Sequence, residues 1–249
     1  MEMKEFGVHN EKIIVLIHGA CASWEMWEAQ IKALETDYHV IVPVLNGHNL
    51  DSKSDFVSPE QEAMEIFDFF DRRSIKKVFL LGGASLGGML VVEILSLRND
   101  FAEYAFIEST PTIPYNKLGI AWIVWLGKIA MKMTVSDSPI IRKWMDRRYH
   151  DSKMMELAKR IISNMSTSSL SNLLRIAYAY ELKDSAKSIK AKSLVVCGEK
   201  EAKVFRKSAV LISETIPSAR LVCIKNFAHG ELSIASPDRY IGLLRELIS

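Results

Sequence analysis

One short stretch decides the fold: VFLLGGASLGG, residues Val78–Gly88. An apolar run typical of a strand passes directly into Gly83-Ala84-Ser85-Leu86-Gly87, and a helical pattern follows. Glycine at both ends of this pentapeptide allows a sharp reversal, because neither residue carries a Cβ atom. The pattern predicts that Ser85 lies on a tight turn with its hydroxyl exposed and that the Leu86 N–H faces any anion formed there. A glycine-rich turn with an idle serine is the alternative.

Short apolar runs like the one before Ser85 recur along the chain, with helix-length segments between them. They lack polar alternation, which is typical of parallel strands buried on both faces. The predicted strands are Ile13–Ile17, Val40–Val44, Val78–Leu81, Tyr104–Ile107, Leu194–Val196 and Leu221–Ile224. The predicted helices are Trp27–Leu34, Pro59–Phe70 with Ser58 as N-cap, Gly87–Leu97, Lys207–Thr215 and Pro237–Ile248 with Ser236 as N-cap. This alternation predicts an α/β fold with a doubly wound, mostly parallel sheet.

The alternation stops after the strand that ends near Ile107. Residues 111–190 contain no strand pattern, so they are predicted to form a helical cap, while 1–110 and 191–249 form the core. The helical patterns of the cap are Leu118–Met133, Pro139–Tyr149, Lys153–Asn164 and Ser168–Leu182. The cap holds 14 Lys and Arg against 6 Asp and Glu, a net charge of +8, and its densest basic cluster is Arg142, Lys143, Arg147 and Arg148. Its many Met and Trp side chains are expected mainly to pack the cap, with a few lining a substrate tunnel.

Composition excludes several classes of protein. The 249 residues carry 32 Lys and Arg against 30 Asp and Glu, and this balance argues against nucleic acid as a partner. The N-terminal residues show no signal-peptide pattern, and the apolar run 118–133 is too short and too charged to span a membrane. Three widely spaced cysteines, Cys21, Cys197 and Cys223, lie in apolar surroundings and are expected to be buried reduced thiols of a cytoplasmic protein.

A serine hydroxyl needs a neighbouring base to become a nucleophile. His229 follows the last predicted strand, and loops at the carboxyl ends of parallel strands share one edge of the sheet with the turn at Ser85. His9 is expected to be solvated and His39 structural, while His48 and His150 lie in loops or the cap. His229 is therefore the candidate base.

The base in turn needs an acid to orient it. Glu199 and Glu201 lie in the loop after the strand that begins at Leu194, and Glu108 follows Ile107. All three are candidates on position alone.

Stabilising an oxyanion calls for a second N–H group besides that of Leu86. The chain turns at Gly19, directly after the first apolar strand, so the N–H of Ala20 can face the cleft. His18 is expected to hold this turn, and Trp24 and Trp27 are expected to pack the helix that follows.

Taken together, these motifs resemble the α/β-hydrolase superfamily, and within it the small lidded serine esterases. The resemblance covers about Lys12 to Ser249 and rests on the chain order of His18-Gly19, the turn at Ser85, the Gly-x-x-acid loop at Gly198 and a late His229. The segment from His18 to Cys21 is also similar to methylesterase and hydroxynitrile lyase relatives. The resemblance implies Ser85 as nucleophile and His229 as base, with Ala20 and Leu86 supplying the oxyanion N–H groups. The acid falls at the fourth position of its loop, which is Glu201.

The chain departs from the family pattern at three places. The acid position holds Glu201 where Asp is usual, and Val44 stands where the family has Asp in its P-D-x-x-G-H-G pattern. Few residues precede the first core strand. A serine at the turn disfavours the related dehalogenases and epoxide hydrolases, which use Asp there.

The function expected from the resemblance is hydrolysis of a carboxylic ester or thioester through an acyl-enzyme, without metal or organic cofactor. The expected partner is a small apolar or acyl substrate, and a homodimer is left open. The cap charge indicates either a solvated helical surface or attraction of an anionic substrate. The alternatives are a carbon–carbon bond hydrolase or lyase that uses the same three residues, and a small-molecule receptor without turnover.

Overall fold

The computed structural model describes residues 1–51, 53–135 and 152–249. Seven strands in these ranges form one sheet in the order β1-β3-β2-β4-β5-β6-β7. They are β1 (Glu2–Phe6), β2 (Ile13–Ile17), β3 (His39–Val44), β4 (Val78–Ala84), β5 (Ala102–Glu108), β6 (Lys192–Gly198) and β7 (Ala219–Ile224). Only β1 pairs antiparallel, and the other neighbours are parallel. The predicted α/β fold with a mostly parallel sheet is confirmed.

The edge strand β1 is absent from the sequence-based prediction, which begins the sheet at Ile13. Its sequence, EMKEF, places charged residues on a strand that is half-buried throughout, so it carries no apolar run. Pairing from Glu2 with Val44 to Phe6 with Val40 holds it in the sheet. Residues Glu2–Phe6 therefore form a strand because they pair with β3, and not because of their composition.

Outside the cap the predicted helices lie between the predicted strands or after the last of them, with shifts of a few residues at their ends. The described helices are α1 (Glu28–Leu34), α2 (Pro59–Arg72), α3 (Leu86–Leu97), α4 (Lys117–Val135), α5 (Ser152–Asn164), α6 (Thr167–Ala179), α7 (Lys203–Thr215), α8 (Glu231–Ala235) and α9 (Pro237–Ile248). Short 3₁₀ turns cover Trp24–Trp27 and Asp184–Ser188. Helix α8 was not predicted. Ser58 caps α2 by accepting the Gln61 N–H at 3.2 Å, whereas the predicted cap Ser236 makes no side-chain capping bond.

Apolar side chains are buried on both faces of the sheet. Phe67, Phe70 and Phe101 pack edge to face on the side covered by α2 and α3. On the other side, Trp27 and Tyr240 are fully buried, with ring centroids 5.3 Å apart. Burial on two faces explains why the central strands show no polar alternation.

Helices α4, α5 and α6 lie between β5 and β6 in the chain. Ser169 of α6 accepts the Phe56 N–H at 3.0 Å, and Lys183 beyond α6 contacts the buried Glu93 of α3 at 2.6 Å. The cap boundaries at 111 and 190 stay a prediction. The predicted helix Pro139–Tyr149 and the cluster Arg142, Lys143, Arg147 and Arg148 lie outside the described residues, as does His150.

Trp122 and Trp125 of α4 are 66% and 55% exposed, so these two are not among the cap side chains that are buried by packing. The expectation that all three cysteines are buried is wrong. Cys197 is buried, but Cys223 is exposed and Cys21 is only half-buried. Cys223 lies on the edge strand β7, next to Cys197 of β6, and all three thiols are free. An apolar sequence neighbourhood does not distinguish an edge strand from a central one.

A substitution at Gly87 tests whether the close packing of the turn against β2 is needed for stability. A Cβ atom there would lie 2.0 Å from the Ile17 carbonyl oxygen, which is backbone and cannot rotate away. We expect Gly87→Ala to lower the free energy of unfolding by at least about 3 kcal/mol, measured by urea denaturation.

The matched control is Gly242→Ala in α9, where the added Cβ meets no atom within 4 Å. We expect this change to stabilise the protein by up to about 1 kcal/mol, because alanine is a better helix former than glycine. Equal stabilities for the two variants would contradict this account of the turn.

Candidate active site

Ser85 lies in a tight turn that joins β4 directly to α3. Its backbone is left-handed, with φ +56° and ψ −111°, a conformation that is uncommon outside glycine. Its N–H donates to the Glu108 carbonyl at 2.8 Å, and its carbonyl accepts the Met89 N–H at 3.0 Å. A Cβ atom at Gly83 would lie 2.4 Å from the Gly87 backbone. The two glycines thus allow the close chain reversal that turns the Ser85 side chain out of the sheet edge.

His229 lies between β7 and α8, and the structure brings it to Ser85. Its Nε2 atom is 3.0 Å from the Ser85 Oγ. The imidazole is half-buried, and the Phe205 ring lies against it with centroids 4.3 Å apart. At this distance His229 can accept the serine proton, provided that its other nitrogen, Nδ1, carries the hydrogen.

Among the three candidate acids, the structure brings Glu201 to His229. Its Oε2 atom is 3.3 Å from the His229 Nδ1, and its side chain is fully buried. Its Oε1 atom accepts hydrogen bonds from the Gly198 N–H at 2.6 Å and from the Ser109 hydroxyl at 2.8 Å. The carboxylate therefore has a defined orientation, with one oxygen held by the protein and the other facing the imidazole.

The other two candidate acids have different partners. Glu199 is exposed and accepts the Asn226 N–H at 2.9 Å. Glu108 is buried behind the site, where its Oε1 accepts the Ser233 N–H at 3.2 Å and its Oε2 has no hydrogen-bond partner among the described residues. Burial, reinforced by the nearby charge of Glu201, raises the pKa of Glu108 to about 7. The three carboxylates were equal candidates on sequence position alone, and their contacts in the structure differ.

The segment predicted to supply the second oxyanion N–H lies beside the serine. Strands β2 and β4 are neighbours, with Ile17 paired to Gly83. A Cβ atom at Gly19 would lie 3.7 Å from the Ser85 Cβ, so the chain at Gly19 passes close to the serine. Ala20 is exposed at this point, and Leu86 is the first residue of α3. Ala20 and Leu86 each follow directly on a residue of this close approach, and their role as oxyanion donors stays a prediction.

Two buried histidines stabilise the turn after β2. His18 Nδ1 contacts the Gly19 carbonyl at 2.8 Å and its Nε2 accepts the Leu45 N–H at 3.1 Å, which fits the structural role expected of it. Burial, together with the adjacent His48, lowers the pKa of His18 to about 3, so its ring is neutral. His48 is also fully buried, although the sequence places it in a loop, and burial lowers its pKa to about 4.

The loop after β3, where the sequence departs from the family pattern, is held by Glu62 of α2. The departure itself is at Val44, where the resemblance has Asp. The two Glu62 oxygens accept the Asn46 N–H at 3.0 Å and the Asn46 side-chain amide at 2.9 Å. Glu62 is fully buried, and this burial raises its pKa to about 7. No sequence motif indicated this contact, because its partners lie 16 residues apart on different elements.

A metal site and a membrane-spanning helix each require a particular arrangement of residues. In the described ranges, no group of three His, Cys, Asp or Glu side chains is arranged to hold a metal ion. None of the helices described is both long and apolar enough to cross a membrane.

The chain belongs to a family of α/β hydrolases. The model of the family described as "Serine aminopeptidase, S33" matches residues 8–233, most of the chain. The resemblance inferred from the sequence is thereby confirmed at the level of the superfamily, and the protein is a hydrolase by family. No curated protein matches this chain in sequence.

Solved structures show the same fold. An α/β hydrolase family protein from Desulfitobacterium hafniense superposes with a TM-score of 0.80 at 20% identity, with both chains fully covered. A thermophilic esterase from Thermogutta terrifontis gives a TM-score of 0.75 at 18% identity, covering 100% of this chain and 94% of its own. An enol-lactonase from Burkholderia xenovorans LB400 gives 0.77 at 18% identity, covering 99% and 95%. At these identities, the likeness establishes the fold alone.

Glu108 provides a test of the electrostatics behind the site. Its pKa rises from 4.5 in the unfolded chain to about 7 in the fold, so folding takes up a proton between these values. Its contribution to stability is complete below pH 4.5 and is lost as the pH rises to about 7. At one pKa unit per 1.4 kcal/mol, the loss is about 3 kcal/mol.

Glu108→Gln removes this titration, so we expect the variant to gain about 3 kcal/mol relative to wild type between pH 4.5 and pH 8. Urea unfolding across this range measures the difference. Glu199→Gln is the control for loss of a carboxylate at an exposed position. A Glu108→Gln difference that stays constant with pH would show that Glu108 is ionised throughout.

Proposed function

We propose that the protein is a serine hydrolase that cleaves a carboxylic ester or thioester. The observation that carries this proposal is one line of contacts at the carboxyl edge of the sheet. Ser85 Oγ lies 3.0 Å from His229 Nε2, and His229 Nδ1 lies 3.3 Å from Glu201 Oε2. Nucleophile, base and acid come from three separate loops, in the chain order that serine hydrolases of this fold use.

In the proposed reaction, Ser85 Oγ attacks the substrate carbonyl while its proton passes to His229 Nε2. The resulting imidazolium is stabilised by Glu201, which accepts the Nδ1 hydrogen and keeps its negative charge. His229 then gives the proton to the departing alkoxide or thiolate, and an acyl ester on Ser85 remains. Water, deprotonated by His229, attacks this ester and releases the carboxylic acid, which restores the Ser85 hydroxyl.

Charge that develops on the carbonyl oxygen requires donors that are already in place. We assign this role to the backbone N–H groups of Ala20 and Leu86. Leu86 begins α3, so its N–H lies at the positive end of the helix dipole.

The substrate class follows from the proposed chemistry and from the relatives of the fold. A small apolar or acyl substrate fits the Met and Trp side chains expected around the tunnel. The esterase and the enol-lactonase suggest open-chain esters and lactones, and the family description adds a peptide amide. An assay panel therefore contains an aryl ester, an acyl thioester, a lactone and an aminoacyl anilide. A diketone and a cyanohydrin test the alternative carbon–carbon hydrolase or lyase.

The proposal also includes a cytoplasmic location and leaves a homodimer open. The free thiols of the neighbouring Cys197 and Cys223 support a reducing, cytoplasmic setting. A homodimer stays a prediction, which sedimentation would test.

Ser85 is tested first by covalent labelling. We expect a fluorophosphonate probe to add once to the wild-type protein and not at all to Ser85→Ala, because only an activated serine reacts at a useful rate. Intact mass spectrometry measures the adduct. Ser96→Ala, at another serine of α3, is the matched control and should label like wild type. Labelling that persists in Ser85→Ala would contradict the assigned nucleophile, and ligand binding without any adduct would favour the receptor alternative.

The acid is tested by a pair of substitutions in one loop. We expect Glu201→Gln to lower kcat for the best ester by about 10³- to 10⁴-fold, because the amide disturbs the imidazole tautomer. Glu199→Gln should stay within twofold of wild type, since the Glu199 side chain is exposed and accepts the Asn226 N–H away from His229. Steady-state kinetics measure both variants. The reverse ranking would transfer the role to Glu199.

A further inference from the structure

The end of β5 lies between the loops that carry the acid and the base. Ser109 directly follows this strand, is 2% exposed and has a left-handed backbone with φ +53°. Its N–H donates to the Val196 carbonyl of β6 at 2.9 Å. A left-handed conformation at a residue other than glycine is strained, and such strain persists only where the surroundings hold it.

The Ser109 hydroxyl uses both its donor and its acceptor capacity. It donates to Glu201 Oε1 at 2.8 Å and accepts the Gly230 N–H at 3.3 Å. Gly230 is the residue after His229, so a single hydroxyl joins the acid to the chain segment of the base. Nothing in the chemistry proposed above uses this group.

We infer that Ser109 is a positioning residue of the Ser85–His229–Glu201 triad. Its hydroxyl holds the Glu201 carboxylate with Oε2 toward His229 Nδ1, and it holds the base segment at Gly230 at the same time. Because Ser109 is buried, it acts through Glu201 and His229 and not by contact with substrate. The inference rests on the proposed function for its catalytic consequence, but the contacts exist independently of turnover.

Two features separate this role from general packing. Glu201 Oε1 retains the Gly198 N–H if Ser109 loses its hydroxyl, so the carboxylate remains partly satisfied and the fold is not left with a bare buried charge. What is lost is the second constraint on the rotation of the carboxylate. The 3.3 Å contact between Glu201 and His229 is longer than a strong charge-assisted bond, so it is sensitive to that rotation.

The test removes the hydroxyl in two ways, by Ser109→Gly and Ser109→Ala. Glycine suits the left-handed backbone, so Ser109→Gly separates loss of the hydroxyl from backbone strain. Ser193→Ala is the matched control, because Ser193 of β6 is another buried serine, whose hydroxyl donates to the carbonyl of Ala191, just before that strand. We expect both Ser109 variants to react with the fluorophosphonate probe about 10- to 100-fold more slowly than wild type and to show lower kcat with unchanged KM. Ser193→Ala should match wild type.

A double-mutant cycle distinguishes positioning from a structural effect. If Ser109 acts through Glu201, Ser109→Gly should change the labelling rate by less than about twofold in a Glu201→Gln background. An equal loss in both backgrounds, or no loss in the wild-type background, would overturn the inference.

A spectroscopic measurement keeps the inference testable if the protein turns over no ester. We expect the His229 Nδ1 hydrogen to give a downfield proton NMR signal that is missing in His229→Gln. In Ser109→Gly this signal should shift upfield and exchange faster with water. If wild type neither labels nor hydrolyses any substrate, the proposed function fails and this signal alone decides the inference. An unchanged signal in Ser109→Gly, or none in wild type, would overturn it.

Discussion

The left-handed backbone at Ser85 is the constraint on which the rest of the site depends. A β-strand and an α-helix meet there with a single residue between them, and this is sterically feasible only because Gly83 and Gly87 lack side chains. A Cβ atom at Gly87 would lie 2.0 Å from the Ile17 carbonyl oxygen, so the missing side chain also allows the start of α3 to approach β2. The strained backbone at Ser85 therefore projects one hydroxyl from the sheet edge. Backbone strain of this kind is often found at enzyme active sites.

Parallel pairing brings the remaining groups to the same edge. The carboxyl ends of β4, β5, β6 and β7 are neighbours, and each contributes one segment of the site. The end of β5 contacts all three of the others. The Glu108 carbonyl accepts the Ser85 N–H, and the Ser109 hydroxyl contacts both Glu201 and Gly230. A strand that supplies no reacting group thus holds the relative positions of those that do.

Burial controls the charge of the groups that support the site. It lowers the pKa values of His18 and His48 far enough to keep both rings neutral, and it raises those of Glu62 and Glu108 to about 7. Glu62 holds the loop after β3 through Asn46. This loop, where the sequence departs from the family pattern, is therefore supported from α2.

The sequence by itself determined the α/β class, the central strands, the turn at Ser85 and the pairing of that turn with His229 as a candidate base. These follow from apolar runs and glycine spacing, which are local properties. It did not determine β1, whose charged residues depend on pairing with β3, or the exposure of Cys223, Trp122 and Trp125. Position alone left Glu108, Glu199 and Glu201 as candidate acids, the family resemblance pointed to Glu201, and nothing in the sequence indicated Ser109. Only the tertiary structure gives the contacts of these side chains, because hydrogen bonds such as Ser109 to Glu201 join residues 92 positions apart, and their geometry exists only once the strands are paired.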